Sequence, residues 1–236
     1  MDAAGYVTLS RQSGLLAQMD IIANNIANAS TSGFRREGMV FSEYVKAAGD
    51  APSLSMGFGN GKVVDQQQGS LTQTGGSFDL AINGDGYFLI DTPQGQQLTR
   101  SGAFTPGPDG TLMTEDGYHV LDASGSAISL PPGVTGVAIS RDGTMSAGGT
   151  PLAQIGLWQP TDPLSLRHEA GTRFSSSGTQ PMEGGQMMQG YLEDSNVEPL
   201  NEVATMIAVQ RAYEMGQSFL DREDDRARNV IQTLGR

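Results

Sequence analysis

Apolar positions follow a helical period at the two ends of the chain and alternate in the middle. Near the start, Leu15, Met19, Ile22 and Ile26 step by 4, 3 and 4, which lines one face of a helix. The spacing predicts a helix from about residue 4 to 28. Its other face is polar and nearly uncharged. Asn24, Asn25 and Asn28 are poor helix formers there, and Ser30-Thr31-Ser32-Gly33 supplies the turn chemistry that ends the helix.

At the far end, Met206, Val209, Tyr213, Gly216, Leu220, Glu223, Ala227, Val230 and Leu234 alternate steps of 3 and 4 over four heptads. That spacing predicts a coiled-coil seam. Gly216 and Glu223 weaken it as an isolated helix, so the seam needs a partner, and the N-terminal helix is the obvious one. From the residues alone, a helix pair within one chain and a helix pair between copies are equally good readings.

Between the helices lie short alternating runs such as Asp79-Leu80-Ala81-Ile82, Gly86-Tyr87-Phe88-Leu89-Ile90 and Val137-Ala138-Ile139. Asn83-Gly84-Asp85-Gly86, Asp109-Gly110, Asp116-Gly117 and Asp142-Gly143 interrupt them, and such dipeptides turn hairpins. The expected fold class is therefore α+β, with terminal helices pairing as a coiled coil around an inserted antiparallel β domain. The expected boundaries are an N-terminal helix in 1–34, an extended connector in 35–77, the β domain in 78–194 and a C-terminal helix in 195–236.

Composition sharpens the division. Glycine is 32 of 236 residues, about twice the usual share and without a collagen period, as expected of a region rich in turns. The net charge is -12, and it is uneven. Residues 1–50 carry four basic and five acidic side chains, 51–195 five and fourteen, and 196–236 five and seven. With two Lys in the whole chain, no basic cluster exists to neutralise phosphates, and nucleic acid is not an expected partner. The absence of Cys excludes disulfides, thiolate zinc sites and cysteine nucleophiles. Asp2 stands where a secretory signal would carry a cation, and no apolar segment follows, so no cleaved signal is expected.

Candidate chemistry is sparse. His119 and His168 lack metal-binding spacing. Gly84-Asp85-Gly86 has neither the remaining glycine nor the lysine of a phosphate loop. Asp109, Glu115, Asp116 and Asp122 could in principle hold calcium or act as paired carboxylates, but solvated turn residues are the default. Trp158 reads as core before sugar platform. Met182, Met187 and Met188 suit either loop packing or a contact surface. No catalytic, cofactor or metal residue is expected. An acidic β domain that binds a glycan or a cation is the alternative to a structural role.

Three segments carry a resemblance. Ala23-Asn24-Asn25-Ile26-Ala27-Asn28-Ala29-Ser30-Thr31-Ser32-Gly33-Phe34-Arg35 resembles the signature of bacterial flagellar rod, hook and hook-associated axial proteins. Asp79 to Phe88, Arg100-Ser101-Gly102-Ala103-Phe104 and Asp116-Gly117-Tyr118 resemble the β domain of rod and hook proteins. Ser195-Asn196-Val197 and Gln210-Arg211-Ala212-Tyr213-Glu214 resemble their C-terminal helix. The chain is thus similar to the flagellar basal-body rod proteins, with its length and Asn83 favouring the proximal over the distal rod type. Glu198-Pro199 departs from the usual pattern, and proline there can only open the helix.

The resemblance implies a structural, non-enzymatic subunit. The helices would form the inner layer of a tube that transmits torque and encloses an export channel, with the β domain outside. It implies export without a cleaved signal to the basal body in the periplasm. The implied partners are copies of itself, other rod subunits, the flagellar export apparatus and surrounding basal-body rings. The implied interface takes Leu15, Met19, Ile22, Asn24, Asn25, Ile26, Asn28 and Phe34 from the first segment. It takes Met206, Val209, Gln210, Arg211, Tyr213, Leu220, Val230 and Leu234 from the last. The asparagine amides would bond between subunits, where burying charge is costly.

Overall fold

The computed structural model describes the backbone of residues 3–48 and 51–234, and the side chains of 7–41, 61–230, 232 and 233. The chain divides into two compact units. One holds residues 1–27, 37–63 and 198–236; the other holds 28–36 and 64–197.

The first unit is built on α1 (Ala3–Ala27) and α2 (Pro199–Leu234), together with a two-stranded sheet of β1 (Glu37–Ala48) and β2 (Ala51–Val64). Pro199 is the first residue of α2, the position where a missing N–H costs nothing and the fixed φ is already helical. The helices pack on each other, and α1 also packs on β1. They run antiparallel: Asn25 of α1 meets Glu202, and Gln12 meets Tyr213 and Gly216. The 35–77 segment, expected as a connector, contains the β1–β2 pair.

The second unit is antiparallel β throughout its described pairings. Its largest sheet has seven strands in the spatial order Arg167–His168, Arg173–Ser175, Gly95–Thr99, Phe88–Thr92, His119–Val120, Leu112–Thr114 and Phe104–Pro106. Phe88–Thr92 is central, and its alternation explains its unbroken apolar run. Phe88 and Ile90 enter one core with Leu80, Phe104, Leu112 and Val120, while Leu89 enters another with Tyr87, Leu98 and Phe174. A strand covered on both faces needs apolar residues at both parities. Trp158 packs against the second core.

The turn expectations divide. Asp109-Gly110, Asp116-Gly117 and Asp142-Gly143 each lie between neighbouring antiparallel strands, and the Asp109 and Asp142 carboxylates accept from Thr111 and Thr144 in the same turns. Asn83-Gly84-Asp85-Gly86 is not a hairpin. Leu80–Asn83 pairs with Gln186–Gln189, whereas Phe88–Thr92 pairs with Gly95–Thr99 and His119–Val120. Gly84 and Gly86 have φ of 101° and 106°, so the segment changes direction between two sheets instead of closing a two-strand turn.

Candidate assembly surface

The predicted stripes meet within the helical unit. Leu15, Ile22 and Val209 form a buried cluster, and Met19, Ile26, Met206, Ala212 and Tyr213 pack against it. Gly216, a flaw in the seam as a sequence, has a local reason. A Cβ there would stand 3.1 Å from Nε2 of Gln12, a side chain that is itself buried and reaches the Tyr213 carbonyl at 3.5 Å. The glycine makes room for the glutamine.

At the other end of the pair, Asn25 is fully buried. Its Nδ2 donates to the Glu37 carbonyl at 2.9 Å and to Glu202 Oε2 at 3.3 Å, while its Oδ1 accepts from Glu37 N–H at 2.9 Å. One side chain thus ties α1, β1 and α2. Within the single chain the Asn25 amide therefore has its partners on β1 and α2. Asn24 is exposed. The Glu37 carboxylate, also buried, lies 3.4 Å from the exposed Lys62.

The antiparallel register limits the seam. Each step toward the start of α1 is matched by a step toward the end of α2, so Ala3 stands opposite a position near residue 225, on the register set by Asn25–Glu202 and Gln12–Tyr213. Val230 lies past that point and is 51% exposed, so it is not part of the intramolecular seam. Leu220 is half-buried, Gln210 and Arg211 are exposed, and the side chain of Leu234 lies outside the described residues.

The larger exposed apolar surface is elsewhere on the same helices. Val203, Ile207, Met215 and Phe219 of α2 are between 41% and 68% exposed. At about 100° per residue they lie on the side away from Met206, Val209 and Tyr213. Arg211, Glu214 and Arg222 rim the Met215–Phe219 groove. On α1, Leu9 and Leu16 are 51% and 46% exposed. Reading the best heptad stripe missed this face. Its signal was the pair of i,i+4 apolar steps, Val203 to Ile207 and Met215 to Phe219, on a helix already supplied with one apolar seam.

In the β unit, residues 28–36 and the segment around Glu193 run side by side. Gly33 N–H donates to the Glu193 carbonyl at 2.7 Å, Asn196 N–H to the Phe34 carbonyl at 3.4 Å, and Arg36 N–H to Asn196 Oδ1 at 2.6 Å. Gly33 has φ of 75°, and a Cβ on it would stand 2.2 Å from the Ser101 nitrogen. Phe34 is fully buried within the unit, its ring 4.9 Å from that of His168. Asn28 is half-buried and accepts from the Thr31 hydroxyl at 3.2 Å.

Beside this ladder lies an ionic cluster that composition did not reveal. Glu193, 1% exposed, meets Arg35 at 2.8 Å through Oε1 and Arg100 at 2.8 Å through Oε2. Arg100 also donates to the carbonyls of Gly86 at 2.6 Å and Gly84 at 2.9 Å, which explains why that segment does not close as a hairpin. Burial pulls the Arg100 guanidinium below its ordinary pKa, against the opposing pull of Glu193. Burial likewise raises the pKa of the nearby Tyr87 hydroxyl.

These features can be set beside known proteins. Residues 6–35 match the family model "Flagella basal body rod protein", 81–147 match "Flagellar hook protein FlgE/F/G D1 domain", and 188–233 match "Flagellar basal body rod FlgEFG protein C-terminal". The chain is 38% identical over 244 residues to the flagellar basal-body rod protein FlgF of Caulobacter vibrioides, covering 100% of this chain and 99% of that one. The chain belongs to the flagellar basal-body rod FlgF/FlgG family. Further relatives agree over the full length: FlgF of Rhizobium meliloti at 33% identity covers 100% of this chain and 99% of its own. FlgG of Bacillus subtilis, also at 33%, covers 97% and 96%. Each of the three family matches includes part of the features above. The first holds Asn25 and Arg35, the second Gly84, Gly86 and Arg100, and the third Glu193, Glu202 and the outer face of α2 from Val203 to Val230.

Proposed function

We propose that this chain is a structural, non-enzymatic subunit of the bacterial flagellar basal-body rod, of the proximal-rod type, that assembles with copies of itself and other rod subunits. The exposed apolar face of α2 carries the reading. Val203 with Ile207, and Met215 with Phe219, present two apolar i,i+4 pairs to solvent on either side of Arg211, while the seam of the same helix is already covered by α1. Exposed apolar pairs rimmed by polar side chains, as Arg211, Glu214 and Arg222 rim Met215 and Phe219, are the kind of surface that protein contacts use. Head-to-tail contacts between unlike surfaces generate a helical array.

In this reading α1 and α2 act as a short antiparallel coiled coil, supported by the steps of 3 and 4 between Met206, Val209 and Tyr213. The helical ends, 1–34 and 195–236, form the inner layer of the tube; 35–77 is the connector, and 78–194 the outer domain. Membership of the family favours location in the basal body. Residence in the periplasm, export through the flagellar apparatus without a cleaved signal, and contact with surrounding rings extend that reading. The proximal type is favoured by the FlgF relatives of nearly identical length.

The test is the double variant Ile207→Asp, Phe219→Asp in a strain lacking the chain's own gene, scored by recovery of the subunit in isolated rods. The expected result is a secreted, folded chain that does not incorporate. Normal incorporation would show that the outer face of α2 is not an assembly contact.

A further inference from the structure

We infer that Arg35, Glu193 and Arg100 are a positioning clasp, which fixes the register in which the two chain ends leave the β unit. The three side chains come from three distant stretches: the first flank of the unit, its second flank, and the sheet between them. They meet only when all three are in place. Glu193 occupies both guanidinium groups at 2.8 Å and takes a third donor, Gly69 N–H, at 3.1 Å. Arg35 further donates to the Gln66 carbonyl at 3.0 Å.

The arrangement is a poor way to gain stability. Three charges are withdrawn from water, at 3%, 1% and 1% exposure. The cluster keeps one excess positive charge, and the Nε atoms of both arginines are buried without a hydrogen-bond partner. Desolvation of this kind commonly cancels the attraction gained, and apolar replacements of similar volume are often neutral or stabilising.

As a way to specify register it is strong. A slip of one residue in either flank replaces the side chain that meets the cluster with its neighbour along the chain. In place of Glu193 it would offer Leu192 or Asp194, and in place of Arg35 it would offer Phe34 or Arg36. Leu192 or Phe34 would leave a buried charge unpaired, which is strongly destabilising; Asp194 would keep the charge but falls one methylene short of the two guanidinium groups, and Arg36 would bring its guanidinium one residue out of place. In the 193–197 flank a slipped chain could still make a backbone bond like that of Asn196, so there the backbone alone does not choose; in the 28–36 flank Gly33, whose place leaves no room for a Cβ, is a second constraint on the same register.

The consequence rests on the proposed function. The flanks continue into α1 and α2, so one residue of slip moves a helix end by about 3.3 Å along the chain. In a helical array that error recurs at every copy. A subunit can tolerate modest instability, whereas a misplaced end excludes it from the array.

The test uses the full chain. In Arg35→Met, Glu193→Leu, Arg100→Met the clasp becomes apolar at similar volume. The expected result is a melting temperature near or above that of the parent, at least tenfold faster amide exchange in 28–36 and 193–197 of the isolated chain, and lost incorporation into rods. Glu193→Asp, which keeps the charge but shortens the reach, is expected to fall between the two in both exchange and incorporation. A fall of more than about 10 °C in the triple variant, on the scale of 1 kcal/mol per few degrees, would make the cluster a stabiliser and overturn the proposal. So would parental exchange in the flanks, or loose flanks with normal incorporation. Because exchange is read on the isolated chain, failure of the clasp is distinguishable from failure of the assembly reading, which the outer face of α2 tests separately.

Discussion

Ile22→Ala isolates the intramolecular half of the helix pair. Ile22 is 3% exposed and packs with Leu15 and Val209. Truncation removes three carbons, about 2.4 kcal/mol at roughly 0.8 kcal/mol for each buried methylene. A rigid cavity would add to this. Here Met19 and Met206 border the cluster, and unbranched thioether chains fill gaps readily, so the transfer term should dominate. At 1.4 kcal/mol for each factor of ten, 2.4 kcal/mol is about a 50-fold rise in opening of the pair. Hydrogen exchange of α1 and α2 amides in the isolated chain reads this directly, and amides of the β unit serve as the internal reference. Phe219→Ala is the control. At 41% exposure on the outer face, it should change monomer opening by less than about 0.5 kcal/mol. The reasoning fails if Ile22→Ala alters helix exchange by less than threefold, or if Phe219→Ala alters it as much as Ile22→Ala does.

Other outcomes follow from single contacts. Asn25→Asp places a second carboxylate against Glu202 and removes the donor to the Glu37 carbonyl, so it should destabilise the helical unit by about 2–4 kcal/mol; urea unfolding monitored on α1 checks this. Gly33→Ala, at φ of 75° and with a Cβ 2.2 Å from Ser101 N, should cost more than about 3 kcal/mol. Gly133→Ala, at φ of 76° in open space, should cost about 1–2 kcal/mol; equal losses would mean that the close approach at Gly33 is relieved at little cost. The Asp142 carboxyl is held below its ordinary pKa by the Thr144 amide first and the Thr144 hydroxyl second. The folded state therefore binds this proton more weakly than the unfolded chain. Its support of the turn is present above about pH 4 and is lost as pH falls through the folded-state value. Asp142→Asn should flatten the acid limb of a pH-stability curve for the β unit, and an unchanged limb would show that the carboxylate contributes nothing there.

The parts of the fold that could be read along the chain are those governed by neighbours in sequence. Leu15, Met19, Ile22 and Ile26 announced a helix because i,i+3 and i,i+4 residues share a face, and Met206, Val209 and Tyr213 did the same for its partner. Asp109, Asp116 and Asp142 announced turns because their side chains and the following glycines act within a few residues. Pro199 marked the start of α2. Asn25 looked like any other amide in a polar run, since its partners Glu37 and Glu202 are 12 and 177 residues away. Arg35 and Arg100 stand in two of the segments that carry the family resemblance, but nothing along the chain links either of them to Glu193. Asn83-Gly84-Asp85-Gly86 had the composition of a hairpin, but Arg100 and the pairing of its flanking strands assigned it another path.

Local periodicity determined two amphipathic helices and an antiparallel β region, because each depends on residues that are near neighbours in sequence. Only tertiary structure decided which apolar positions of the helices are covered by the chain itself and which stay exposed. It alone showed that Asn25 and Phe34 are used internally and that three scattered charges converge on one buried point. Burial and charge pairing depend on positions in space, and residues 158 places apart, such as Arg35 and Glu193, share no local pattern that records their meeting.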